Sequence, residues 1–189
     1  MKKRDFYKYN TGREQALQSL SGVQNEIHDY NNQRAELLFQ AQKFEQASLI
    51  DNIEGQITTV ETEVSSMQIL WDHINSCQGI FQGYMDLQWL KTDSNEMEEE
   101  VKKLLKQLKE MKVDKRCNAY TGILEEIKKW LVFLPLVGQL RDPSMRDRHW
   151  DMIRQKAKSD FVIDDKLVLK MIYDLNLGAI ADDVEEITD

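Results

Sequence analysis

Residues that turn a chain are scarce in this sequence. Its 189 residues hold 2 prolines and 8 glycines, too few for the many reversals of a sandwich or barrel, so all-β folds are set aside. Cysteine is also sparse: Cys77 and Cys117 are the only ones, which gives no disulfide framework and points to a reducing compartment. Long apolar runs are missing. The most apolar stretch, residues 131–137, falls far short of the ~20 residues that a membrane-crossing helix needs. The basic start Met1-Lys2-Lys3-Arg4-Asp5 leads into no apolar stretch, so no signal-peptide pattern is present. Positive charge is in deficit, with a net charge of −8. Like-charge repulsion makes such a chain a poor general binder of nucleic acid and other acidic polymers. None of the glycines is followed by lysine, so the phosphate-cradling loop of P-loop ATPases is absent.

What the sequence does have is helical periodicity. Ala16, Leu20, Val23, Ile27, Tyr30, Arg34, Leu37, Ala41 and Phe44 follow alternating steps of four and three. They form a heptad seam whose chemistry is interrupted only at Arg34. A second seam runs through Ile53, Ile57, Val60, Val64, Met67, Trp71 and Ile74. The two seams are out of phase, so a turn or skip is expected near residues 45–52, punctuated by Asp51-Asn52 and Gly55. Two long helices packed as an antiparallel hairpin are the expected product. Residues 75–92, with Gly79, Gly83, Phe81, Tyr84 and Trp89, read as a helix end, a bend and a connector.

Further along, Asp93 and Glu96 have capping-box spacing ahead of a third seam, Met97, Val101, Leu104, Leu108 and Met111. Glu98–Lys102 and Glu99–Lys103 lie one turn apart, each pair worth roughly 0.3 kcal/mol. A fourth helix over 120–140 carries Ile123, Ile127, Trp130, Leu131, Leu134 and Val137 on one face, widened by Leu124, Phe133 and Leu136. Pro135 inside it predicts a kink or break. Asp142-Pro143 reads as an N-cap followed by proline at the first position of a fifth helix, about 143–158. Asp164 or Asp165 is placed to cap a short helix bearing Leu167, Met171, Ile172 and Leu175, which Asn176 and Gly178 end. An acidic helical pattern at 179–188 favours continuation past Asp189. The expected fold is all-α: an elongated antiparallel helical bundle with long heptad-patterned helices.

Chemistry-bearing clusters are few. His73 and Cys77 share a helical face beside Asp72, but two ligands do not make a metal site. The expectation there is a surface histidine and a half-buried thiol. His149 lies in Arg146-Asp147-Arg148-His149-Trp150 without a nucleophile nearby in sequence, so general-base catalysis is not expected. A packed Trp150 among ion pairs, with arginines forking to carboxylates or helix carbonyls, is the better reading. Trp71, Trp89, Trp130 and Trp150 are expected in the core rather than stacked on bases. A helical-bundle metalloenzyme would need Glu-x-x-His pairs, and Glu26 stands two residues from His28. No catalytic, cofactor-binding or metal residue is therefore assigned.

One segment is idiosyncratic. Ala119-Tyr120-Thr121-Gly122 precedes an apolar helix ending Val137-Gly138-Gln139-Leu140. Then comes Leu140-Arg141-Asp142-Pro143-Ser144-Met145-Arg146-Asp147-Arg148-His149-Trp150. This resembles the Leu-x-x-Pro-(Ala/Ser)-hydrophobic-(Arg/Lys)-x-Arg-His-Trp signature of dynein heavy chains, with Pro143, Arg146, Arg148, His149 and Trp150 in the signature positions. Asp142 stands where most relatives have Asn, and either residue caps a helix. Leu70-Trp71-Asp72 and Trp89 resemble the landmarks before the signature; Leu175-Asn176-Leu177, Val184 and Ile187 resemble those after it. The resemblance covers about 70–189 and is strongest to outer-arm β-type ciliary dyneins.

It implies a piece of N-terminal region 2, where the tail meets the mechanical linker. Residues 1–90 would close the tail as a helical hairpin, and 91–189 would begin the linker region as a bundle. The implied role is non-catalytic, within a minus-end-directed microtubule motor that drives ciliary movement. ATP and Mg would be bound only by other parts of the parent chain. Implied partners are other dynein heavy, intermediate or light chains and the rest of the heavy chain. Microtubules would be met only through parts absent here, and no nucleic acid or membrane partner is expected. The implied location is the cytoskeleton of the ciliary axoneme. Gly79, Gly83, Pro135 and Asp142 are candidate hinges. The alternative reading is a stand-alone helical scaffold or adaptor.

Overall fold

The two seams form helices that run antiparallel. In the computed structural model, which describes residues 4–43, 48–159, 161–164 and 166–175, helix α1 spans Arg13–Lys43 and α2 spans Ser48–Met85. Asn31 of α1 donates to Glu61 of α2 at 2.9 Å, and Arg34, farther along α1, pairs with the earlier Glu54 at 3.0 Å. Contacts that descend one helix as they climb the other define an antiparallel hairpin. The remaining α-helices among the described residues are α3 (Ser94–Glu110), α4 (Asn118–Leu140), α5 (Asp147–Ala157) and α6 (Leu169–Asp174). No strand occurs among the described residues, only an isolated antiparallel bridge between Gln88 and Val168. The fold is an all-α helical bundle. It divides into two units, Met1–Asn75 with Met111–Ile123, and Ser76–Glu110 with Leu124–Asp189.

In the first unit the seams are buried at one end only. Ala16, Leu20 and Val23 of α1 and Val64, Met67, Leu70, Trp71 and Ile74 of α2 are buried. Farther toward the α1–α2 connection the same pattern opens: Tyr30, Leu37 and Ile53 are 60%, 51% and 43% exposed. There the two helices flank an open cleft of about 530 Å³. Two short 3₁₀ turns, Asp5–Tyr7 and Tyr9–Thr11, precede α1, and Phe6 and Tyr7 are buried.

Several expected breaks are absent. Because α2 starts at Ser48, Asp51-Asn52 and Gly55 lie inside a helix instead of punctuating a turn. Residues 44–47, with the seam position Phe44, lie outside the described residues. Helix α2 then continues through Gly79 and Gly83 to Met85, and the helix end, bend and connector expected within residues 75–92 fall at 85–92, past both glycines. A helical glycine costs about 1 kcal/mol relative to alanine. Burial of Cys77, Phe81 and Tyr84, spaced by steps of four and three, offsets that cost.

In the second unit, α3 starts where its cap predicts. The Asp93 carboxylate accepts from the amides of Asn95 and Glu96 at 3.1 and 3.2 Å, and Met97, Val101, Leu104 and Leu108 are buried. Lys102 reaches both Glu98 at 2.8 Å and Glu99 at 3.0 Å. Helix α4 passes through Pro135 to Leu140, so of the kink or break expected there, the break does not occur. Proline removes the bond to the preceding turn at a cost of about 3 kcal/mol, but Leu134, Leu136, Val137 and Leu140 are all buried and anchor both sides. The fifth helix begins at Asp147, not at Pro143. Asp142 instead closes a turn: its carboxylate accepts from the Ser144 amide at 2.8 Å and its carbonyl from Met145 at 3.0 Å. This is the local bonding by which aspartate competes with helix. Asp164 likewise makes a turn, accepting from Lys166 at 2.9 Å, and α6 starts later, at Leu169. Asp165, the expected stop at Asn176 and Gly178, and the pattern at 179–188 lie outside the described residues.

Candidate functional site

The signature segment becomes one half of a clasp in the second unit. After α4 ends, Arg141 donates to the Leu90 carbonyl at 3.1 Å. The Asp142 turn follows, its carboxyl held below the usual carboxylate range by hydrogen bonds from Ser144. Helix α5 then carries Trp150 inward, 7% exposed. The Trp150 ring meets two others edge-on: Trp89 at 6.1 Å and Phe161 at 6.0 Å between centroids. Edge-to-face pairs of this kind add about 0.5–1.5 kcal/mol each beyond their burial.

Each partner ring is fixed through hydrogen bonds to its own backbone. Trp89 lies in a 3₁₀ turn, Trp89–Lys91, and its amide donates to the Leu167 carbonyl at 2.7 Å. Leu169 returns the bond to Leu87 at 2.8 Å. Phe161 is held by Arg154, whose Nε donates to the Phe161 carbonyl at 2.8 Å while the guanidinium lies 5.3 Å from the ring centre. Asp151 steadies that guanidinium at 2.6 Å. The connector at 86–92, the start of α5, Phe161 and the stretch 167–169 are thereby bound into one joint.

The other signature residues face outward. Pro143, Arg146 and Arg148 are exposed and His149 is partly so. His149 Nδ1 accepts from the Arg146 amide at 3.1 Å, which caps the first turn of α5. Its Nε2 lies 2.9 Å from Arg148 Nε. A neutral imidazole offers one acceptor nitrogen, so the ring satisfies one of these donors at a time. We assign it to the cap, since Arg148 is exposed and has water available.

Trp130 belongs to a separate aromatic cluster of the same unit. It stacks on Phe81 at 5.2 Å and Tyr173 at 4.9 Å, with Tyr84 and Phe133 edge-on at 5.5 and 5.7 Å. The Tyr84 hydroxyl donates to Glu100. Burial, with that carboxylate, pushes the Tyr84 phenol well above its ordinary range.

Of the candidate hinges, Gly79 and Gly83 sit on the exposed side of α2, Pro135 on the exposed side of α4, and Asp142 in its turn. His73 is buried, unlike the surface residue expected, and Cys77 is completely buried. Burial pushes the Cys77 thiol up to about 12, leaving it protonated and a poor nucleophile. Among the described residues, no group of three or more His, Cys, Asp or Glu side chains converges on a metal position. None of their helices is long and apolar enough to cross a membrane. Sequence reasoning missed Arg154 and Phe161 as clasp residues. The one available signal was the apolar Phe161-Val162-Ile163 just beyond an amphipathic helix.

Comparison with known proteins converges on one family. Residues 57–189 match the family described as dynein heavy chain, N-terminal region 2. The flagellar outer-arm dynein alpha chain of Chlamydomonas reinhardtii is 29% identical over 190 residues, covering 100% of this chain and 4% of the relative. The outer-arm beta chain of the same organism is 34% identical over 135 residues, covering 71% of this chain and 3% of the relative. The ciliary dynein beta chain of Tripneustes gratilla is 28% identical over 173 residues, covering 91% of this chain and 4% of the relative. The chain thus spans 3–4% of the length of the relatives it matches.

Proposed function

This chain belongs to the dynein heavy chain family, in its N-terminal region 2, and from that premise we propose that it is the tail-to-linker segment of a ciliary outer-arm motor. Residues 1–90 would close the tail and 91–189 open the linker region. The segment itself performs no catalysis; it carries strain between the part of the motor that is anchored and the part that swings. ATP and Mg would be bound elsewhere in the parent chain, which would hydrolyse ATP to move toward microtubule minus ends. Other heavy, intermediate or light chains of the motor are its partners, and the axoneme is its location.

The observation that supports a mechanical role is the clasp around Trp150. Force transmission needs segments distant in sequence to be tied at a point that does not slip. The signature segment ends in a three-ring joint, with Trp89 and Trp150 buried, reinforced by backbone bonds from Trp89 and Leu169 and by the Arg141 guanidinium. The candidate hinges Gly79, Gly83, Pro135 and Asp142 are positions at which bending under strain would be sought first. The test is a full-length heavy chain carrying Trp150→Ala, assembled into its motor. Microtubule gliding should slow while basal ATP turnover is retained. Unchanged gliding, or an equal loss of both, overturns the mechanical reading.

A further inference from the structure

The strap before α1 is held by groups far from it in sequence. Phe6 is completely buried, and its carbonyl accepts from the Trp71 indole at 2.8 Å. The Tyr7 hydroxyl donates to Glu63. These two contacts seat the strap on α2. Its far end seats on α4: the Tyr9 amide donates to the Asn118 side-chain oxygen at 2.8 Å, and the Tyr9 ring lies against Gly122. A Cβ placed on Gly122 would fall 2.6 Å from the Tyr9 Cβ, and nearer still to the ring. No real Cβ tolerates that. Gly122 lies inside α4, where alanine would favour the helix. Its missing side chain therefore has a steric use, which is to leave a notch for Tyr9.

The consequence is topological. Tyr9 and Asn118 are 109 residues apart in sequence, and α1, α2 and α3 lie between them. Tension entering at the strap would otherwise run through all three helices in series, and the α1–α2 hairpin, its first part, is exposed along its outer seam. The strap offers a parallel route from Tyr9 directly into the first turn of α4. We propose that residues 4–12 are a clip that shunts tension past the α1–α2 hairpin, with Tyr9 as its knob and Gly122 as its notch. This rests on the strain-carrying reading above.

The test is pulling on the 189-residue chain in an optical trap with a handle at each end, alongside hydrogen exchange at the strap amides. In the unsubstituted chain the hairpin should open only with or after release of the strap. Tyr9→Ala removes the knob without adding bulk, and Gly122→Val fills the notch. Either should let the hairpin open first, in a separate event at lower force. Strap amides should exchange roughly tenfold faster, the factor that 1.4 kcal/mol makes. Gly122→Ala should lower the release force in the unsubstituted chain and have no such effect alongside Tyr9→Ala. If Gly122→Val fails to fold, Tyr9→Ala decides alone. A hairpin that opens first in the unsubstituted chain, at the force seen for Tyr9→Ala, overturns the clip while leaving strain transmission through the rest intact. A chain that gives way everywhere at one low force, with or without the substitutions, overturns both.

Discussion

Leu20 and Leu37 stand on the same seam of α1, yet Leu20 is completely buried and Leu37 is half exposed. In the clasp of the second unit, Trp89 and Trp150 share no periodicity, yet both are buried and meet edge to face. The hairpin is regular in sequence and unevenly packed. The clasp is irregular in sequence and closely packed. Periodicity establishes which face of a helix is apolar. Whether that face is covered depends on segments that periodicity does not describe, here the strap at one end of the hairpin and, at the clasp, Phe161 with residues 167–169.

The comparison breaks most sharply at Trp150. Truncation to alanine removes a buried ring from a site braced by backbone bonds, so Trp150→Ala should cost about 3–5 kcal/mol. An unchanged melting temperature would show that the clasp is not the anchor described. Next comes the pair on α1. Leu20→Ala should cost about 2–5 kcal/mol, whereas Leu37→Ala should stay within about 0.5 kcal/mol. Denaturant melts of both variants that gave equal losses would contradict the one-ended burial of the seam. Asp93→Ala, which strips the α3 cap of two amide partners, should cost about 1 kcal/mol, and urea titration measures it.

The smallest effect near neutrality is in pH. Burial raises the Cys77 thiol from an ordinary 9.0 to about 12 and also raises the phenols of Tyr7 and Tyr84, each beside a carboxylate. A raised value in the folded state means that the unfolded chain gives up its proton first. The stabilisation is complete below the unfolded values and is lost as pH rises past about 9 toward the folded ones. Melting temperature should be flat from pH 7 to 8.5 with respect to these groups and decline above pH 9. A rise above pH 9 would refute the burial assigned to them.

The residues that were legible share one property, which is local bonding. The Asp93 cap needs only amides two and three residues away. The seams of α1 and α3 need only the 3.6-residue turn, and both formed. Where a helix continues against a local signal, that signal meets a non-local one. Gly79, Gly83 and Pro135 are local breakers, but they stand beside Cys77, Phe81, Tyr84, Leu134 and Val137, whose burial holds the helices through them. At Asp142 the outcome was reversed: two local signals, helix cap and turn, competed, and the turn prevailed. In the clasp, Trp150 was legible as a packing residue because tryptophan in an amphipathic helix has few other uses. Arg154 and Phe161 were not, since a cation over a ring and a bond to a carbonyl seven residues away leave no periodic trace.

The sequence by itself determined an all-α chain with helices at the seams and the α3 boundary at Asp93, because helix hydrogen bonds and caps are made within a few residues. Its signature segment also carried the family, since an eleven-residue pattern from Leu140 to Trp150 is specific without any structure. Tertiary structure alone decided which part of each seam is buried, that α2 and α4 run through their breakers, and that Tyr9 occupies the space Gly122 leaves. Those outcomes depend on free energy gained between residues tens of positions apart. No local pattern encodes that energy, because it exists only once the chain has brought the surfaces together.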